Sequence, residues 1–185
     1  MWAEAAYHEV LSILPKGSTL LDIGSGKGEH AEGFRRCYDV TTVDLTHSAD
    51  FQGDYLGTFF KEPFDCIWAS HVMEHQRNVG WFLDKARQDL KEGGLLAITV
   101  PPRKDEIVGG HVSLWNPGLL LYNLVLARFD CSKALVMVYG YNISAVLTKR
   151  TIDLPNIIMD HGDIARLARF FPMDVKDGFD GCLGE

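Results

Sequence analysis

The chain has 185 residues, of which 46% are apolar and 23% charged, and its formal net charge is -7. That length and balance describe a single globular domain, residues 1–185, with a core that needs no disulfide or metal staple, and they exclude an extended disordered chain. An acidic surface repels phosphate backbones, so nucleic acid is not an expected partner.

The opening stretch MWAEAAYHEV carries acidic residues where an export signal has a basic region and an apolar run. No secretory signal is expected there, and the expected location is the cytoplasm. Residues 2–14 read as an amphipathic helix ended by Pro15 and Gly17. Thr19 to Ile23 reads as a buried strand running into a glycine-rich loop, and Glu29 to Arg36 as a helix. Val40 to Val43 is a second strand, ending at Asp44, and Phe64 to Ser70 is a third. Val79, Phe82, Leu83, Ala86 and Leu90 share one face of a helix over 79–91, which Gly93-Gly94 ends. Leu95 to Val100 is a wholly apolar strand stopped by Pro101-Pro102.

Residues 101–116 then form a long polar loop holding Gly109, Gly110 and His111, and loops of that length tend to be functional. Asn116-Pro117 opens a helix that runs to about Arg128. Ala134 to Tyr141 and Ser144 to Lys149 are spaced to pair as a hairpin. Residues 163–171 form a last short helix with Ile164, Leu167, Ala168 and Phe171 inward, and the tail DGFDGCLGE has no packing pattern. Leu119 to Ala127, the longest apolar run of the second half, falls far short of the roughly 20 residues of a membrane span. The basic pairs Arg35-Arg36, Arg103-Lys104 and Lys149-Arg150 read as solvated faces. Cys37, Cys66, Cys131 and Cys182 form no C-x-x-C pair and read as reduced thiols without a chemical role. Strands alternating with helices predict an α/β domain with a mostly parallel sheet.

The strongest signal is LLDIGSGKG, residues 20–28, where a strand meets Asp22, Gly24, Gly26 and Gly28. Glycines there allow positive φ and let a ligand lie close on the backbone. A dinucleotide fingerprint needs its third glycine where Glu29 stands. A P-loop needs glycine at Leu21 and Ser or Thr at Gly28. An acid-x-G-x-G-x-G pattern fits at every position. Asp44, about twenty residues on, suits a ribose in either a dinucleotide or another nucleoside cofactor, so it does not decide alone.

Taken together, these motifs resemble those of the class I S-adenosylmethionine-dependent methyltransferases, from about Thr19 to Val100 and more loosely to Lys149. The resemblance implies a Rossmann-like, doubly wound, seven-stranded sheet, mostly parallel, with an antiparallel C-terminal hairpin. It implies S-adenosylmethionine as cofactor and S-adenosylhomocysteine as product. Asp22, Gly24, Ser25, Gly26 and Gly28 match the family's first motif, and Asp44 with Leu45 its ribose-binding acid. Gly53, Asp54 and Tyr55 resemble the segment whose acid meets the adenine amine. Ser70 and His71 open the loop over the methionine end, where His71 offers its backbone. Residues 90–96 match the lead into the family's fifth strand. The cofactor half is then about 1–100 and the substrate-facing half about 101–175.

HVMEH, residues 71–75, also has the letters of an inverted zinc-protease motif, but that motif needs a helix to bring its imidazoles together. No metal is expected, and Asp105 and Glu106 are the only carboxylates after the fifth strand that could favour one. His75 reads equally as a group aimed at the methyl and as a cap of the next helix. His111 is the stronger candidate base, since ligands bind beyond the carboxyl ends of the strands; its alternative is a cap for the Asn116 helix. His8, His30, His47 and His161 have no supporting context.

Trp81, Trp115, Tyr122, Tyr139 and Tyr141 supply aromatic faces, some of them core. HVSLWNPGLLLYNL resembles small bacterial methyltransferases associated with surface-polysaccharide or small-molecule modification. That implies a small-molecule or glycan acceptor methylated at a hydroxyl by a monomer or homodimer. The runner-up is N-methylation of a small amine or phospho-base. Two other readings are a nicotinamide-dependent reductase and a catalytically silent binding protein.

Overall fold

In the computed structural model, which describes residues 2–181, the chain alternates helices and strands. It runs α1 (Glu4–Ile13), β1 (Thr19–Ile23), α2 (Glu29–Phe34), β2 (Asp39–Asp44), β3 (Phe51–Gln52) and β4 (Phe64–Ser70). Then come α3 (Val79–Asp89), β5 (Leu90–Val100), α4 (Pro117–Leu126), β6 (Leu135–Tyr139), β7 (Asn142–Thr148) and α5 (Asp163–Leu167). The strands form one seven-stranded sheet ordered β3-β2-β1-β4-β5-β7-β6. β1 pairs in parallel with β2 (Leu20 opposite Val40) and with β4 (Leu21 opposite Ile67). β4 and β5 are also parallel, whereas β7 runs antiparallel to both β5 and β6. The expected fold class is therefore the observed one.

Leu20, Leu21 and Ile23 are all buried, as a parallel strand covered on both faces requires. One face carries α1 and α2, whose Ala6, Val10 and Phe34 pack with Trp68 and Cys66 of β4. The other carries α3, α4 and α5, where Phe82, Leu83, Leu121, Leu124 and Leu167 form the larger core. Each side chain of that size contributes about 1.5–3 kcal/mol when fully buried. Strand order reverses between β1 and β4, which opens a crevice at the carboxyl ends of β1, β2 and β4.

Several boundaries differ from expectation for local reasons. β3 is two exposed residues and carries no apolar alternation to read. β5 begins at Leu90, which pairs with Phe64, so Gly93-Gly94 sits inside the strand and not before it. β7 begins at Asn142, directly after the Gly140 turn. α4 stops at Leu126, and Arg128 turns the chain with φ 70°.

Lys149 is not a solvated residue: it is buried, and its Nζ donates to the carbonyls of Arg87 and Leu90 at 2.7 Å each. It thereby supplies donors to carbonyls at the end of α3 that the helix leaves without partners. The tail packs as far as Gly181. Gly118 N donates to Asp180 O at 2.8 Å, and a Cβ on Gly118 would stand 2.8 Å from the Asp180 carbonyl carbon. Cys37, Cys66 and Cys131 are free thiols, and Cys182 lies outside the described residues. Among the described residues no helix is long and apolar enough to cross a membrane.

Candidate functional site

The loop after β1 is held by its neighbours. Gly24 N and Ser25 N both donate to Val43 O of β2, at 2.8 and 3.2 Å. Gly24, Gly26 and Gly28 have φ of 70°, 55° and 82°, the left-handed region that L side chains avoid. A Cβ on Gly24 would run into Val72, whereas one on Gly26 would meet nothing within 4 Å. The loop is thus tight beneath and open above.

Asp44 Oδ2 accepts from Gly26 N at 2.8 Å, and Oδ1 accepts from His47 N at 2.7 Å and Thr46 N at 2.9 Å. Burial alone would raise its pKa, but those hydrogen bonds, with one from the His47 ring, hold it at about 2. Asp22, in β1 beneath the loop, is only 1% exposed and its Oδ2 has no hydrogen-bond partner. Burial pushes its pKa up to about 7; Arg35 opposes that rise and Asp44 adds to it.

Two cavities lie over this loop. One, of about 360 Å³, is lined by Gly24, Gly26, Asp44, Leu45, Asp54, Tyr55 and Val72 among others. The second, of about 410 Å³, is lined by Trp2, Ser25, His30, Ser70, Glu74, His111 and Tyr141 among others. They share Gly24, Gly26, His71 and His75, so they form one groove across the crevice. A third cavity, of about 230 Å³, lies between the 101–115 loop and Tyr141, and it shares His111 and Tyr141 with the second.

Two expected cofactor residues, Asp22 and Gly28, line neither part of the groove: Asp22 is buried in β1, and Gly28 turns the chain into α2. Tyr55 does line it, but not with its hydroxyl. Tyr55 is buried and donates its hydroxyl to Asp89 Oδ2 at 2.8 Å, so that hydroxyl is unavailable to the groove. Burial and the Asp89 carboxylate push its pKa far up. Asp54 caps its own turn, its Oδ1 accepting from Leu56 N at 3.0 Å.

The loop after β4 is clasped to the long loop after β5. Val112 N donates to Glu74 O at 2.8 Å, and His75 Nδ1 meets Gly110 O at 2.8 Å. His75 and His111, the two expected catalytic histidines, consequently stand side by side, with ring centroids 5.1 Å apart. Neither caps a helix. Asn116 caps α4 with its own side chain, which accepts from Leu119 N, and the ring of His75 braces the β5 loop. His71 is strained at φ 56°; its N–H donates to Thr99 O and its Nε2 lies 2.9 Å from Asn142 Oδ1. Burial would lower its pKa, but the Glu74 carboxylate and Asn142 raise it overall.

Glu74 is the residue that sequence reasoning passed over. It is 0% exposed, and neither carboxylate oxygen receives a hydrogen bond. Its neighbours are His71 Nδ1 at 3.3 Å and His75 Nε2 at 3.9 Å from Oε1. A single 3-10 turn over Met73–His75, and not a helix, brings these groups near one another. Trp2 was also missed: it is 58% exposed, with its ring 5.3 Å from His71, and His30 Nε2 meets its carbonyl at 2.8 Å. His30 and His47 both gain a structural context that sequence spacing did not offer. Among the expected aromatic faces, Tyr141 and Trp115 line cavities. Trp81 lies elsewhere, beside Lys85, and Tyr139 spends its hydroxyl on Ser144 and Ala6.

A family model described as a methyltransferase domain matches residues 3–129. The chain belongs to the class I S-adenosylmethionine-dependent methyltransferases. A curated relative of this methyltransferase, the ubiquinone biosynthesis O-methyltransferase of Nitrobacter winogradskyi, is 38% identical over 98 residues, covering 44% of this chain. The chain spans only 38% of that relative's length. Among solved structures, the 1,6-didemethyltoxoflavin N1-methyltransferase of Burkholderia thailandensis, with bound 1,6-didemethyltoxoflavin and S-adenosylhomocysteine, shares the fold with TM-score 0.64 and 17% identity. That match covers 78% of this methyltransferase and 76% of the other chain. A TehB-like S-adenosylmethionine-dependent methyltransferase from Corynebacterium glutamicum has TM-score 0.61 and 21% identity, covering 78% of this chain and 87% of its own.

Proposed function

We propose that the protein transfers a methyl group from S-adenosylmethionine to a hydroxyl oxygen of a small acceptor, a sugar or glycan intermediate being the class favoured. The observation that carries this reading is the Glu74, His75 and His111 cluster where the groove meets the third cavity. A hydroxyl must lose a proton as it is methylated, and imidazoles at that junction suit the task. An amine that binds in its neutral form would need no strong base.

The groove suits this cofactor on its own chemistry. Asp22, a carboxyl buried behind the loop with its Oδ2 unbonded, would through its field favour a ligand with cationic centres over one with a pyrophosphate. The open face of Gly26 leaves room for that ligand on the backbone. Asp44 would hold the ribose while fixing the loop through Gly26 N; Leu45, Asp54 and the backbone of Tyr55 would flank the adenine. Ser25, Ser70 and His71 would meet the methionine end, under the cover of Trp2. When bound, S-adenosylmethionine supplies a methyl already activated on a sulfonium, so the chain's task is mainly positioning.

On the acceptor side, residues 101–115, within the substrate-facing half of about 101–175, offer polar groups and Tyr141 an aromatic face, a combination that suits a sugar ring. The name of the curated relative, an O-methyltransferase, supports oxygen over nitrogen as the acceptor atom. The test is incubation with methyl-labelled S-adenosylmethionine and a panel of nucleotide sugars, phenols and small amines, followed by mass spectrometry of the products. Label on a sugar hydroxyl is expected. Label confined to amines would replace this reading with N-methylation.

A further inference from the structure

We propose that Glu74, His75 and His111 form a binding site for a divalent transition-metal ion, open toward the acceptor cavity. One ligand atom from each of the three lies within 4.8 Å of the other two. Three independent features of the site point the same way.

The first is the unpartnered carboxylate. Glu74 is wholly buried, with no hydrogen bond to either oxygen, yet it lines the groove. A carboxylate in that position needs a cation or a set of donors to offset its lost hydration.

The second is the orientation of the imidazoles. Gly110 O can only accept, so His75 carries its proton on Nδ1 and presents the Nε2 lone pair, 3.9 Å from Glu74 Oε1. A ring fixed through its other nitrogen by a backbone carbonyl is the usual arrangement of a metal-ligating histidine. Gly110 makes that approach possible: at φ 80° a Cβ there would stand 3.0 Å from His75 Nδ1. His71 is held in the same manner. Asn142 Nδ2 donates to Tyr139 O, so Asn142 Oδ1 faces His71 Nε2, and His71 Nδ1 is turned to Glu74 at 3.3 Å. His75 therefore turns a lone pair, not a proton, toward the buried carboxylate, and His71 Nδ1 is the only ring nitrogen placed to share a proton with it.

The third is spacing. Bonds of about 2.1 Å in a tetrahedral site put neighbouring ligand atoms roughly 3.4 Å apart. The 3.9 Å between Glu74 Oε1 and His75 Nε2, and the 4.8 Å within which all three ligand atoms lie, need only side-chain shifts of about 1 Å to reach that.

Two imidazoles and one carboxylate are the donor set of open catalytic zinc and non-haem iron sites, and imidazole ligation disfavours magnesium. The open position would face the cavity that His111 shares with Tyr141. The role of the ion, though not its binding, rests on the proposed function: coordination would lower the pKa of the acceptor hydroxyl. The histidines would then act through the ion and not as free bases.

The test is calorimetric titration of the tag-free, chelator-treated full chain with Zn²⁺ and, separately, Mg²⁺. One Zn²⁺ per chain is expected, with no measurable Mg²⁺ binding. Glu74→Gln and His111→Ala should each weaken Zn²⁺ at least tenfold, and the more exposed His111 provides the variant least prone to misfold. Unchanged zinc affinity in both variants would assign the ion to another surface group and overturn the proposal. No zinc binding by the wild type, with methyl transfer intact, also overturns it and leaves the transfer reading standing. That would leave the His71 imidazolium as the partner of Glu74. Stoichiometric zinc lost in the variants, with no transfer to any oxygen acceptor, would do the reverse.

Discussion

Replacing His111 by alanine is expected to lower turnover about 10²- to 10⁴-fold, the usual effect of removing the group that assists proton transfer. The affinity for S-adenosylhomocysteine should stay within about twofold. The two effects separate because of where His111 stands. Its ring stands beside His75 where the third cavity joins the edge of the groove, whereas the cavity over Asp44 and Leu45 is built without it. Steady-state kinetics with calorimetry on the same preparation measures both. A rate that survives His111→Ala would mean that the clasped loops merely shape the pocket, and nitrogen or carboxylate acceptors would gain. Equal losses of rate and cofactor affinity would instead put His111 in the cofactor site.

Replacing Asp22 by asparagine should stabilise the ligand-free protein at alkaline pH and weaken its cofactor. Burial pushes the Asp22 carboxyl to about 7, against about 3.9 in an unfolded chain. Folding therefore takes up a proton between those values. The contribution of Asp22 is intact below about pH 4 and is lost as the pH rises through about 7. Three pKa units correspond to on the order of 4 kcal/mol, the most that asparagine could recover. Asp44 works in another window with the opposite sign. Its pKa is held at about 2, so its contribution is present above about pH 4 and lost as the pH falls through 2.

Denaturant unfolding near pH 4.5 and near pH 8 should therefore show the two proteins converging at the lower value and the variant ahead at the higher. Cofactor binding should respond the other way, because a cationic α-ammonium bound over the loop would favour an ionised Asp22. Wild-type affinity for S-adenosylhomocysteine should rise from about pH 6 to 8, and that of the variant should not. Parallel pH profiles for the two proteins would show that Asp22 is not the group that titrates.

Much of this architecture was legible because local signals agreed with the fold. Leu20, Leu21 and Ile23 are apolar, Asp22 interrupts them, and the run leads directly into glycines, so strand and loop could be read together. Asn116-Pro117 marked the start of α4, and the structure uses Asn116 as its cap. What escaped depended on contacts distant in sequence. Glu74 looked ordinary because its significance comes from burial between loops nearly forty residues apart, joined by Val112 N to Glu74 O. Lys149 read as a solvated charge because its partners are carbonyls at the end of α3. Tyr55 fitted a motif by position, but its hydroxyl is committed to Asp89 from another element. Trp2 and His30 meet only when α1 packs beside α2.

The glycine loop and Asp44 have a spacing that a dinucleotide could also use, so the identity of the cofactor is the claim on which the rest depends. Calorimetric titration of the full chain with S-adenosylhomocysteine and with NAD tests it most directly. One S-adenosylhomocysteine per chain and no heat with NAD is the result expected from the buried Asp22, the open face of Gly26 and the absence of a basic cluster at the loop. Binding of NAD with none of S-adenosylhomocysteine would contradict it.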